Sequence, residues 1–172
     1  GSESSGVDPA EFLYRITHPE AVLGDVVGPV GMLDQWIKYT GAFSRYKTQV
    51  SDVNVCGPDE DPIVVARLHV TVRFSRASFQ VMFPHALRNE TVAQQLLGRE
   101  VSYRGTTSLR FSEDGQIVSQ LVHFDFIEGF VAAGIALRDV EQLMRGANIS
   151  VTSTIVEQRP ETPPDVVQEW RL

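Results

Sequence analysis

Sulfur chemistry is nearly missing from this chain: among 172 residues Cys56 is the only cysteine. No internal disulfide can close, and no cysteine-based metal site can be assembled within one chain. That usage fits a reducing intracellular compartment, and the fold has to rest on burial of its 42% hydrophobic residues. Long hydrophobic runs are lacking too. Residues 127–137 form one of the longest, carry Glu128 inside, and fall short of the roughly 18 residues a membrane-spanning helix needs. No signal-sequence pattern opens the chain.

Positive charge is also short. Fifteen basic residues face 22 acidic ones, a formal net charge of −7, so the average field repels phosphate backbones and anionic lipid headgroups. Neither direct nucleic-acid contact by this segment nor membrane attachment is expected, and Arg67, Arg73 and Arg76 read as cations on a solvated strand. A glycine-rich phosphate loop and a His-Glu-x-x-His motif are absent. Asp59, Glu60 and Asp61 stand consecutively, without the alternating ligand spacing of a calcium loop, and read as a solvated loop. No metal and no cofactor are therefore expected.

What is present organises as one domain with short extensions. Residues 1–6 read as an expression scar and flexible lead, which suggests a domain excised from something longer; residues 7–157 read as a single domain, and the proline-containing stretch 158–172 as a tail. Asp8 before Pro9 is a helix start, because the carboxylate can take an orphan amide and proline already holds helical φ; Phe12, Leu13 and Ile16 then share a face. Pro29 opens a second helical pattern with Met32, Leu33, Trp36, Ile37 and Phe43 at three- and four-residue steps. On that stripe Trp36 is expected to be a core anchor, with a ligand contact as the alternative.

From Thr48 the period becomes two. Val50, Val53 and Val55 lead to a break at residues 57–62, and a long strand over 63–74 sets Val64, Ala66, Leu68, Val70, Val72 and Phe74 against Arg67, His69, Thr71 and Arg73. One face of such a sheet is packed and the other wet. Residues 79–83 predict a further short strand, and 89–97 a short helix stopped by Gly98. Residues 99–111 and 116–126 form a hairpin around Asp114-Gly115, residues that tolerate the positive φ of tight primed turns. Helical or irregular segments over 130–144 and a last strand over 149–156 complete the expectation.

This order of helices, long hairpin and an Asp-Gly-x-Ile-Val strand (Asp114, Gly115, Ile117, Val118) continuing to His123, Phe124 and Asp125 resembles the nuclear-transport-factor-2-like, or SnoaL-like, superfamily over residues 9–131. The resemblance implies an α+β cone in which a curved mixed or antiparallel sheet wraps the N-terminal helices. Gln35-Trp36-x-x-Tyr39, Phe83-Pro84-His85, Leu97-Gly98-Arg99, Arg110-Phe111 and the segment from Asp139-Val140 through Ala147-Asn148-Ile149 together resemble the region downstream of the zipper in oomycete-type basic leucine-zipper (bZIP) transcription factors. No basic region or zipper lies in this chain, so that family's DNA-binding residues cannot be carried onto it. The closer resemblance implies a non-catalytic accessory domain of a transcription regulator, serving dimerisation or protein interaction and binding a small hydrophobic ligand, nuclear in such a parent and otherwise cytoplasmic.

The wider superfamily implies an alternative, a small-molecule isomerase, cyclase or hydrolase using general acid–base chemistry in the cone. Its candidates are Asp125 and His123, two apart on one strand, with Tyr103 on the partner strand as an oxyanion donor. The opposing expectation is that Val118, Val122, Phe124 and Phe126 line the core, leaving His123 and Asp125 outside. Trp36, Tyr103, His123 and Asp125 are accordingly the ligand-binding candidates; His85 follows a proline in a loop.

Overall fold

The structure is a computed structural model that describes Gly6 and residues 8–157; the C-terminal stretch with Trp170 and most of the N-terminal lead lie outside the described residues. Helix α1 (Pro9–Ile16) starts where the sequence predicts, with Asp8 accepting a 3.1 Å bond from the Ala10 amide. Strands β1 (Thr17–Leu23) and β2 (Val26–Val27) follow, then α2 (Gly28–Ala42), opened by Pro29 in its first turn. The long pair β3 (Phe43–Cys56) and β4 (Ile63–Phe74) leads through α3 (Arg76–Met82), a 3-10 turn (Pro84–Arg88) and α4 (Glu90–Leu96) to the hairpin β5 (Glu100–Phe111) and β6 (Ile117–Phe124). Helices α5 (Phe126–Ala132) and α6 (Leu137–Arg145) close the described elements.

The strands form one open sheet in the order β2-β1-β6-β5-β4-β3, antiparallel throughout except for the parallel pair β1 and β6. That single parallel contact makes the sheet mixed and the architecture the expected α+β cone. Strand β4 shows why its register is secure: Ala66, Val70, Val72 and Phe74 are buried while Arg67, His69 and Arg73 are exposed, and a slip of one residue would exchange the two sets. Its inner face carries the main core, in which Phe74 packs against Phe43 at 5.3 Å, Phe79 at 5.7 Å and Phe130 at 5.8 Å between ring centroids. Such pairs add about 0.5–1.5 kcal/mol each beyond area burial.

Four expectations are corrected. Residues 79–83 belong to a helix and its cap, not a strand: Ser75 and Ser78 cap α3 reciprocally, and Ser78 Oγ donates to the Ala42 carbonyl. Phe79, Met82 and Phe83 then fall at helical spacing and are all buried. Residues 149–156 form a strap with one isolated bridge, Ile149 to Ile155, because Ser150 Oγ accepts the amides of Thr152 and Thr154 and competes with a ladder. At the β5–β6 turn only Gly115 takes positive φ, +78°. The loop is longer than a two-residue primed turn, with Ser112 and Gln116 bonded through their backbones at 2.8 Å.

The fourth correction concerns Trp36. It is 49% exposed, whereas Tyr39 and Ala42, one turn and nearly two turns further along α2, are buried. The apolar stripe of α2 is wide enough that one half packs into the core and the other half borders an opening.

Core packing and exposure separate two substitutions. Phe83→Ala, at a fully buried ring, is expected to cost about 3–5 kcal/mol, and Phe12→Ala, at a half-exposed ring, about 1 kcal/mol or less. Urea unfolding of both variants checks the contrast.

Candidate functional site

The opening beside Trp36 is a pocket of about 290 Å³ between α1, α2, the β1–β2 turn, the inner face of β6 and the strap. Alternation along β6 aims Gln120, Val122 and Phe124 inward, while helical spacing on α2 presents Met32, Trp36 and Tyr39 from the other side. Leu13 and Leu23 complete an apolar wall, and Tyr46 of β3 closes the inner end.

The strap supplies the third side and is tied down from several directions. Gln35 clamps Ile155 with two bonds of 2.8 Å, its Nε2 donating to the carbonyl and its Oε1 accepting the amide. The Tyr39 hydroxyl donates to the Ser153 carbonyl at 2.5 Å, and the Phe124 amide donates to Ser153 Oγ at 2.9 Å. Ser153 is held at a φ of 56°, unfavourable for a residue with a Cβ, and these bonds offset that strain. Thr152 adds a 3.2 Å bond from its hydroxyl to Asp25 at the pocket rim.

Of the candidates read from the sequence, His123 and Asp125 share a separate recess of about 330 Å³ bordered by Phe126, Met144 and Ser150, and Tyr103 lies apart from both openings. His123 lies opposite Thr106 with both exposed, on the sheet face away from the pocket. Asp125 follows the end of β6 and caps α5, accepting the Glu128 amide at 2.9 Å. Tyr103 is inner and buried, its ring 5.7 Å from Phe124 and 4.9 Å from Phe126, and its hydroxyl has no hydrogen-bond partner among the described residues. Trp36 alone of the four lines the pocket; His85 bonds the Gln142 carbonyl through Nε2 at 2.7 Å. Among the described lining residues there is no carboxylate, imidazole or cation.

Sequence reasoning missed Gln35, Tyr39, Tyr46 and the strap residues 152–154 as parts of one site. Gln35 and Tyr39 had a signal, since they stand four apart on α2 and Tyr39 three from Trp36. The strap had none, because its place follows from tertiary contacts separated from α2 by more than a hundred residues.

No family model matches the chain, and no curated protein does. Solved structures share its fold. TsrD from Streptomyces laurentii is 18% identical at a TM-score of 0.51, covering 74% of this chain and 84% of its own. A protein from Jannaschia sp., assigned as a SnoaL-like polyketide cyclase, is 14% identical at a TM-score of 0.51 over 74% of this chain and 79% of its own. IdmH from Streptomyces antibioticus, assigned as a polyketide cyclase, is 18% identical at a TM-score of 0.51 over 74% and 88% respectively. At these identities the likeness is one of fold.

Electrostatically the cone interior belongs to three phenols. Burial pushes Tyr39, Tyr46 and Tyr103 above the usual tyrosine range; at Tyr39 and Tyr103 the nearby Tyr46 adds to the rise, and at Tyr46 a bond with Thr48 opposes it. All three stay neutral donors near neutral pH. Because the unfolded phenols ionise near about pH 10 while the folded ones resist, the unfolded state holds fewer protons above that pH. Stability is complete below it and is expected to fall by up to about 1.4 kcal/mol per pH unit for each such tyrosine as pH rises further. Tyr103→Phe removes a buried hydroxyl without a partner, and is expected to leave stability at neutral pH unchanged or raise it by up to about 1–3 kcal/mol. It should also make the alkaline loss shallower, as read by urea unfolding between neutral and strongly alkaline pH.

Proposed function

We propose that this chain binds a small, largely apolar molecule in the pocket beside Trp36. The observation that carries the reading is the composition of that pocket: an apolar wall with neutral hydrogen-bonding groups at its ends and no charged side chain in the described lining. Concave, mostly apolar surfaces with a few placed polar groups are what small-molecule sites consist of. Trp36 gives the ligand a flat aromatic contact, and the neutral Tyr46 phenol is a donor suited to a carbonyl or hydroxyl oxygen.

Two roles use such a pocket. Ligand sensing within an accessory domain of a bZIP regulator is the first, and it rests on the sequence resemblance alone, since the structures that share the fold lend that resemblance no support. The shared fold with structures assigned as polyketide cyclases supports a small-molecule enzyme, and favours a ligand bearing rings and ketone oxygens. In that second role the pocket polarises an oxygen through a phenol instead of abstracting a proton with Asp125 or His123, since the first caps a helix and the second is on the outer face.

Calorimetric titration with naphthol tests the reading. Saturable binding is expected, weakened about tenfold or more, or ~1.4 kcal/mol, by Trp36→Ala and by Val122→Glu, which places a charge in the apolar wall. Asp125→Asn and His123→Gln should bind as the parent does. Equal binding by Val122→Glu, or loss of binding in the folded Asp125→Asn and His123→Gln proteins, would sink it.

A further inference from the structure

The pocket does not end where its wall does, and resting on the binding reading above, we propose that its ligand is elongated: a neutral molecule with a hydrogen-bonding oxygen in the pocket and a hydrocarbon part lying along the inner face of β5 and β4 toward the exposed valines of β3. Strand register puts three rows of side chains on that face. Val122 is followed outward by Thr107, Ala66 and Val53; Gln120 by Leu109, Val64 and Val55; Phe124 by Gly105, Leu68 and Val50. The first member of each row lines the pocket, so the floor is continuous with it.

No side chain in these rows is charged, and Gln120 Nε2 donates to Thr107 Oγ1 at 3.1 Å, so two polar groups on the floor satisfy each other. Helix cover is densest at the other end of the strands, where Val72 and Phe74 join the main core with Phe79 and Phe83, and Leu68 and Phe124 border that core; Thr107 and Ala66, small side chains in the middle of the first row, are 8% exposed each. Beyond them Val50, Val53 and Val55 are 60%, 56% and 69% exposed although they face inward. From Val122 to Val53 is three strand spacings, about 14 Å, which is room for an extended chain.

Size points the same way. A pocket of about 290 Å³ is at the lower limit of the roughly 300–1,000 Å³ typical of ligand sites, so a larger ligand must leave it, and the only apolar path among these rows runs along the floor. Pairing of a second copy along the β3 edge is disfavoured by the register shift between Val50 and Asp52, because such a bulge interrupts the edge ladder. The absence of a charge in the described lining selects a neutral head, an alcohol or ketone, over a carboxylate.

Straight-chain alcohols from hexanol to tetradecanol, kept below their solubility limits and titrated calorimetrically, read this directly. Affinity should tighten by roughly fourfold for each methylene added beyond hexanol while the floor accepts it. Val53→Glu with Val55→Glu, on an exposed edge strand, should abolish that gain and leave hexanol affinity unchanged; the β-branched pair Val53→Thr with Val55→Thr should reduce it. The proposal is overturned if the wild type shows no tightening beyond hexanol, or if the gain per methylene is the same in both variants. It is also overturned if the glutamate pair instead turns a sedimenting dimer into a monomer with the gain intact, which would give the floor to a second copy. No binding of any alcohol or of naphthol would remove the pocket reading as well, whereas binding of naphthol and hexanol without a length effect removes only this extension.

Discussion

The clamp between Gln35 and Ile155, seconded by the Tyr39–Ser153 bond, holds together two parts of the chain more than a hundred residues apart, and the pocket lies between them. An open sheet and a helix leaning across it leave a gap on one side, and the strap fills that gap only if its backbone finds partners there. Gln35 gives it a donor and an acceptor at once, Tyr39 a donor, and the end of β6 an amide. Each of these bonds is worth about 1 kcal/mol in net terms, but a buried backbone group left unpaired costs more than a made bond returns, so the strap is held as a unit or not at all. Ile155 and Ser153 are buried as a result, and α2 acquires one wall that faces space instead of packing.

From this follows the division of the cone into two unequal halves. The half under α3, α5 and α6 is dense, with Phe79, Met82, Phe83, Phe130, Leu96 and Leu143 essentially without exposure. The half under α2 and the strap is thinner, its own small cluster consisting of Ala21, Leu23 and Ile117 with partly buried neighbours. Stability concentrated in the first half lets the second keep unfilled volume, as ligand-binding regions generally must. The same division explains Trp36: its position on α2 is set by the helix, but the surface it meets belongs to the open half.

Much of the architecture was legible because it is written in local period. Inward and outward residues of β4 could be assigned one by one from alternation, and α1 was readable from Asp8 and Pro9. Where only tertiary contacts decide, reading failed. The run Phe79, Val81, Met82, Phe83 is apolar enough for either a strand or a helix, and the deciding groups, Ser75 and Ser78, act as a cap that also bonds Ala42 some thirty residues earlier. The β-branched stretch after Ile149 satisfies strand propensity, yet its serine and threonine hydroxyls bond neighbouring amides and the Asp25 carboxylate. For the site, alternation along β6 could say that His123 and Phe124 face opposite ways but not which face is the inside; that is settled by α2 and the strap.

The consequence for chemistry is that the groups able to move protons border a different recess from the apolar pocket beside Trp36. Asp125 spends its carboxylate on the first turn of α5, where an acidic group opposes the positive end of the helix. Relocating it into the cone would uncap that helix as well as bury a charge. His123 belongs to the wet face, where the sheet meets solvent. Inside, the phenols of Tyr39, Tyr46 and Tyr103 are raised by the same burial that makes the pocket apolar, so removing water from the ligand and keeping the donors protonated are one effect. A neutral donor in an apolar wall recognises an oxygen without demanding that the ligand carry charge, and the uncharged side-chain rows running out from Val122 to Val53 extend that preference along the sheet.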